Sequence, residues 1–156
     1  MFTYLRSQLP LLKKLLQHLQ HLSNGYAPYF EAVRRDPADH AAITRAFDAF
    51  RVLCAVREGP RGVLAINELM TRQAREHLGL APAGGRDGAS AWYPGRPVMV
   101  LRNDALLQLF NGDIGIALPA AGSVGIEGGS AHELLVWFPE AGGGFRAVAP
   151  ARLPAH

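Results

Sequence analysis

Leucines at positions 9, 12, 16 and 19 recur at three- and four-residue spacing, with Lys13, Lys14, Gln17 and Gln20 between them. That stripe predicts an amphipathic helix over residues 8–23, and Ser23-Asn24-Gly25 supplies the chemistry that usually ends one. Tyr29 to Arg35 predicts a second, short helix. Asp36-Pro37 reads as the N-cap and first residue of a third, whose apolar side carries Ile43, Phe47 and Phe50. The pattern changes at Arg51. Val52-Leu53-Cys54-Ala55-Val56 is short, continuous and apolar, the signature of a strand buried on both faces. Glu58-Gly59-Pro60 ends it, and a helix follows from about Gly62 to Leu78, with Val63, Ile66, Met70 and Ala74 facing inward.

Residues 79–91 carry no periodic apolar pattern and read as a linker. Beyond them the pattern is all β. Strands are predicted at Pro97–Leu101, Ile114–Leu118, Leu134–Phe138 and Phe145–Val148, with tight turns at Asn111-Gly112-Asp113 and Gly142-Gly143-Gly144. Short strands joined by turns over about 65 residues predict a small barrel. The fold class is therefore α+β: a helical and partly α/β segment over 1–78, the linker, and the barrel over 92–156.

The length of 156 residues, with 19% of them charged, is that of a globular chain. The 17 glycines and 11 prolines fall short of a low-complexity composition, which needs about 25–30% of the two together. The net charge is +3, and the only lysines are Lys13 and Lys14, so the basic side is nearly all arginine. Arginine suits phosphate, but a GC-rich genome enriches arginine as well, and both explanations stand. Cys54 has no second cysteine to pair with, which points to a reducing, cytoplasmic compartment. No run of about 18 apolar residues suggests a membrane span. Lys13, Lys14 and His18 break any signal-peptide pattern at the start.

Two segments are more specific. One is Phe50-Arg-Val-Leu-Cys-Ala-Val-Arg57-Glu-Gly-Pro-Arg-Gly62 with Asn67-Glu68-Leu69. The other runs from Trp92-Tyr-Pro-Gly-Arg-Pro-Val-Met-Val-Leu-Arg102-Asn-Asp through Leu109-Phe-Asn-Gly-Asp-Ile-Gly-Ile116 to Ala151-Arg-Leu-Pro154. Both resemble the RecD family, the alpha subunits of exonuclease V (RecBCD), which are superfamily 1 DNA helicases. The resemblance covers about residues 47–78 and 92–156. It implies that residues 50–78 belong to the second RecA-like motor domain and that 92–156 form an SH3-like barrel. It also implies ATP and Mg²⁺ as cofactors of a parent 5′-to-3′ motor, with single-stranded DNA, RecB and RecC as partners.

The residues themselves hold no Walker A loop, which needs glycines and a lysine in the pattern GxxxxGK[ST]; Lys13 and Lys14 stand in a leucine-rich stretch without them. No acid pair ends a strand to organise Mg²⁺. The chain stops at His156, before the family's next motif, and so reads as a non-catalytic piece of a longer protein, without a cofactor of its own. Arg57, just past an expected strand end, either faces nucleotide phosphate or pairs with Glu58 or Asp48. Arg96, Arg102 and Arg152 flank the predicted strands with Asn103, placed for DNA phosphates, although Arg102 also stands beside Asp104 as a possible turn pair. Trp92, Tyr93 and Trp137 are candidates for stacking on bases, with Trp137 also placed for the core. His18 and His21 share a helix face but lack further metal ligands. Gly122 to Gly129 mimics a nucleotide loop without a helix to follow it. An unpaired apolar strand at 52–56 predicts self-association. The rival to DNA binding is a protein-interaction module that docks partner subunits.

Overall fold

The computed structural model describes residues 20–82, 92–120 and 134–156. The leucine stripe at 9–19, His18, most of the linker and the Gly122–Gly129 segment lie outside the described residues.

Three helices come first. Helix α1 covers residues 20–35, α2 His40–Asp48 and α3 Val63–His77. Ser23-Asn24-Gly25 does not end a helix, and no separate helix begins at Tyr29: α1 runs through both. The reason is packing. A Cβ on Gly25 would lie 2.4 Å from the Phe50 ring, so the missing side chain admits an aromatic ring instead of a turn. Tyr26, Tyr29, Phe30 and Val33 then fall on one helix face and bury together.

The start of α2 also differs from expectation. Asp36 Oδ1 accepts the Ala38 N–H at 3.0 Å in a turn, and the N-cap is Asp39, whose Oδ1 accepts the Ala42 N–H at 2.9 Å. Ile43 and Phe47 are buried as predicted, and Arg51 lies 4.1 Å over the Phe47 ring.

Residues 52–56 are not a strand. They run without regular structure, Leu53 is 95% exposed and Val56 is exposed too. A strand is held by its neighbours' hydrogen bonds, and no strand lies beside this run among the described residues, so its apolar composition alone does not make one. The helical half of the α/β expectation survives. Helix α3 matches closely, starting from Gly62. Its first N–H groups are met by the loop before it, Val63 N–H donating to Val56 O and Leu64 N–H to Arg57 O, both at 3.1 Å.

The second half is a four-stranded antiparallel meander in the order β1-β2-β3-β4, formed by Arg96–Met99, Ile114–Pro119, Leu134–Pro139 and Phe145–Val148. A 3-10 turn at Pro150–Arg152 follows. Both tight turns form where predicted. The sheet is open: among the described residues β4 does not pair with β1. The chain end does reach back, and Leu101 N–H donates to Ala155 O at 2.8 Å.

β2 is the middle of the molecule. Its alternate side chains face two cores, as period-two geometry requires. Ile116 and Leu118 join Tyr29, Phe30, Ile43, Phe47 and Ala74 on the helical side. Ala117 joins Val98, Val100, Leu109, Val136 and Phe138 on the other. Tyr29 ties the layers together by donating its hydroxyl to Gly95 O at 2.6 Å. Gly95 sits at φ 81°, and a Cβ there would meet Val33 at 3.2 Å, so this junction needs glycine for both conformation and space.

Candidate nucleic-acid interface

The excursion between β1 and β2, residues 100–113, holds two of the four DNA-binding candidates of the β half, Arg102 and Asn103. Its base is closed by Val100 N–H to Asp113 O and Gly112 N–H to Val100 O, each 2.8 Å. Further out, Asp104 and Leu109 exchange both backbone hydrogen bonds, at 2.7 and 3.0 Å. Three side chains brace the backbone. Asn103 Oδ1 accepts the Asn111 N–H at 2.7 Å. Asp104 Oδ1 accepts the Leu107 N–H at 3.0 Å, and Asp113 Oδ2 accepts the Phe110 N–H at 2.8 Å. From β4, Arg146 Nη1 donates to Leu107 O at 2.5 Å while its guanidinium pairs with Glu140 at 2.7 Å. The excursion is a built platform, not a slack loop.

Arg102 is exposed at the edge of this platform and forms no ion pair among the described residues. The possible pairing with Asp104 is absent, because Asp104 caps the turn instead. Asn103 is exposed, with its oxygen engaged and its amide NH₂ left to donate outward. Phe110, which no sequence pattern singled out, is 60% exposed beside them, whereas its neighbour Leu109 is 2% exposed. Met99, Leu101 and Leu106 are exposed on the same excursion and its approach.

The other candidates are dispersed. Arg96 lies on β1 with its guanidinium 4.9 Å over the Trp92 ring. Arg152 is exposed on the 3-10 turn. Arg57 is exposed in the loop before α3, on the helical side. Its alternative partner Asp48 is held by Arg51 at 2.6 Å, and no ion pair joins Arg57 to Glu58 among the described residues.

The three aromatics singled out for stacking are mostly occupied. Tyr93 is buried in the core under the Arg75 guanidinium, 5.4 Å from its ring. Trp92 packs on the second core near His156. Trp137 faces the helices and is covered by the His40 ring at 4.0 Å, with Phe145 also against His40. Burial there lowers the His40 pKa, against the opposing pull of Asp39 and Asp36.

No lysine falls among the described residues, and no group of three His, Cys, Asp or Glu side chains gathers there. His21 packs edge-on against Phe50 at 6.0 Å. No helix among the described residues is long and apolar enough to cross a membrane.

No protein-family profile matches the chain. Individual relatives do. The RecBCD enzyme subunit RecD of Mycobacterium tuberculosis is 40% identical over 96 residues, 62% of this chain and 15% of the relative. That of Haemophilus influenzae is 35% identical over 115 residues, 74% of this chain and 14% of the relative. The RecD subunit of Mycolicibacterium smegmatis is 39% identical over 80 residues, 51% of this chain and 13% of the relative. By sequence, then, the chain is similar to a stretch that makes up 13–15% of the length of the RecD subunits of RecBCD enzymes.

Proposed function

We propose that this chain is a non-catalytic piece of a RecD-type, ATP-dependent 5′-to-3′ DNA motor, the exonuclease V subunit of recombinational DNA repair, and that its share of the work is to hold single-stranded DNA. The observation that carries the reading is Arg102, an exposed guanidinium without an ion pair among the described residues, on a braced platform in a chain related to RecD. Phosphate contacts of this kind position a strand without reading its sequence. Asn103 beside Arg102, Arg96 on β1 and Arg152 on the 3-10 turn are the further phosphate-binding candidates. Arg57 is reserved for nucleotide phosphate in the intact motor, where ATP and Mg²⁺ would be held by residues this chain lacks. Residues 50–78 supply part of the second RecA-like domain and 92–156 an SH3-like barrel; the Leu101–Ala155 bond, which brings the chain end beside β1, supports the latter. RecB and RecC are the partner subunits.

Binding of an oligothymidylate by the full chain should be weak, on the order of 10⁻⁴–10⁻⁶ M, and should fall steeply with salt. Arg102→Ala should weaken it and reduce the salt slope by about one. Salt-independent binding, or none at low salt, would sink the reading. Asn103→Ala is a poorer test, because it also removes the brace on Asn111. A second reading, docking of a protein partner, draws on the exposed Met99, Leu101 and Leu106 and predicts an interaction that salt hardly affects.

A further inference from the structure

We propose that Phe110 is a base-stacking residue, forming with Arg102 and Asn103 a one-nucleotide clamp on single-stranded nucleic acid; the proposal rests on the DNA-holding reading above. The ring is presented, not merely left over. The residue before it is anchored in the core at 2% exposure, its own N–H is held by Asp113, and the N–H of the residue after it is held by Asn103. Fixed backbone on both sides leaves a 60% exposed ring with little freedom to fold inward.

An aromatic face held in water gains by covering itself with another flat apolar surface, and a preordered one loses little entropy in doing so. Every base offers such a face, so stacking tolerates any sequence. The register places the other half of the clamp. Asp104 lies opposite Leu109, so continuing by one residue sets Asn103 opposite Phe110, with Arg102 next to it. Asn103 and Arg102 thus carry their donors on the stretch of chain that faces Phe110, in reach of the backbone of a stacked nucleotide.

Charge decides between nucleic acid and protein as the occupant. The nearby carboxylates of Asp104 and Asp113 are turned to backbone N–H groups within the platform. The cation is not neutralised by an ion pair among the described residues. A cation and a ring side by side complement a polyanion with flat bases better than they do an apolar protein surface. Leu101 and Leu106 are exposed apolar side chains on the same excursion.

The test compares two labelled strands of equal length and charge at low salt, an oligothymidylate and a strand of abasic sites, binding to the full chain. Phe110→Ala should weaken oligothymidylate binding at least about fivefold, leave abasic binding unchanged and keep the salt slope. Phe110→Trp should restore binding. Circular dichroism and thermal unfolding confirm that each variant is folded. If Phe110→Ala binds both strands as the unaltered chain does while Arg102→Ala binds less, stacking is overturned and the DNA-holding reading stands. Equal losses on both strands also overturn stacking. If the unaltered chain binds neither strand, the underlying reading falls with it, and the platform belongs to a protein partner.

Discussion

A phenolic hydroxyl at 1% exposure must find an acceptor, and Tyr29 reaches the carbonyl of Gly95, 66 residues away in sequence. Burial also pushes its pKa well above the ordinary value, with Tyr93 and Tyr26 adding to the effect, so it acts as a neutral donor. Removing the hydroxyl strands a buried carbonyl, whose desolvation costs about 1–3 kcal/mol. Tyr29→Phe should therefore lower unfolding stability in urea by about that amount; a loss below about 0.5 kcal/mol would show that water replaces the hydroxyl. The platform obeys the same logic in the opposite direction. Asn103, Asp104 and Asp113 direct acceptors to backbone N–H groups, while Arg102 and Phe110 stay exposed. Sequence reasoning reached Arg102 and Asn103 because arginine and asparagine at a strand end carry a chemical meaning by themselves. It did not separate Phe110 from Leu109, because the two read as one apolar run, and only the excursion's register parts the buried member from the exposed one.

At the scale of elements, α2 meets the sheet through a stack of rings. His40, the first residue of the helix, covers Trp137 of β3 and touches Phe145 of β4. Its folded pKa lies below the ordinary 6.5, chiefly through burial, while Asp39 and Asp36 pull it upward. The unfolded chain therefore takes up the proton more readily. The contribution to stability is complete above pH 6.5, falls as the pH drops through 6.5 towards the folded pKa, and changes no further below that. The midpoint of thermal unfolding should accordingly drop between pH 7.5 and 5, and His40→Gln should show a smaller drop over the same interval. Identical pH profiles for the two chains would remove His40 as the cause. The same helix shows how local signals compete. Asp36-Pro37 and Asp39 both carry N-cap chemistry, and the cap went to the residue that lets Ile43 and Phe47 face the core.

For the whole molecule, one surface is out of keeping with a finished fold. Leu53, Val56 and Leu64 are exposed, and their chain neighbours Val52, Cys54 and Val63 line a cavity of about 440 Å³ together with Tyr26, Phe47 and Met70. Apolar surface of this kind favours association. The full chain should self-associate at tens of micromolar in sedimentation velocity, and Leu53→Lys should shift it towards monomer. A monodisperse monomer before the substitution would count against the idea. Since Leu53 belongs to an unpaired run and not to a strand, association here would proceed through side chains and a cavity, without requiring an extended β ladder.

Much of this protein was determined by local pattern alone. Short apolar runs bounded by turn signals located all four strands to within a residue or two, glycine-rich turns placed the hairpins, and the stripe of Val63, Ile66, Met70 and Ala74 marked α3. Those features depend on neighbours a few residues apart, and sequence displays such neighbours directly. The likeness to RecD subunits was legible in the same way, in two segments of sequence. Tertiary structure decided the rest. Gly25 could end a helix or admit a ring, and Phe50, 25 residues on, chose the second. The run 52–56 had the composition of a buried strand, but a strand exists only through hydrogen bonds to another, and none lies beside it among the described residues. Phe110 and Leu109 are equally apolar, and the Asp104–Leu109 pairing sends one into the core and the other out. In each case the deciding group lies beyond the local window, and its position is fixed only when the chain has packed.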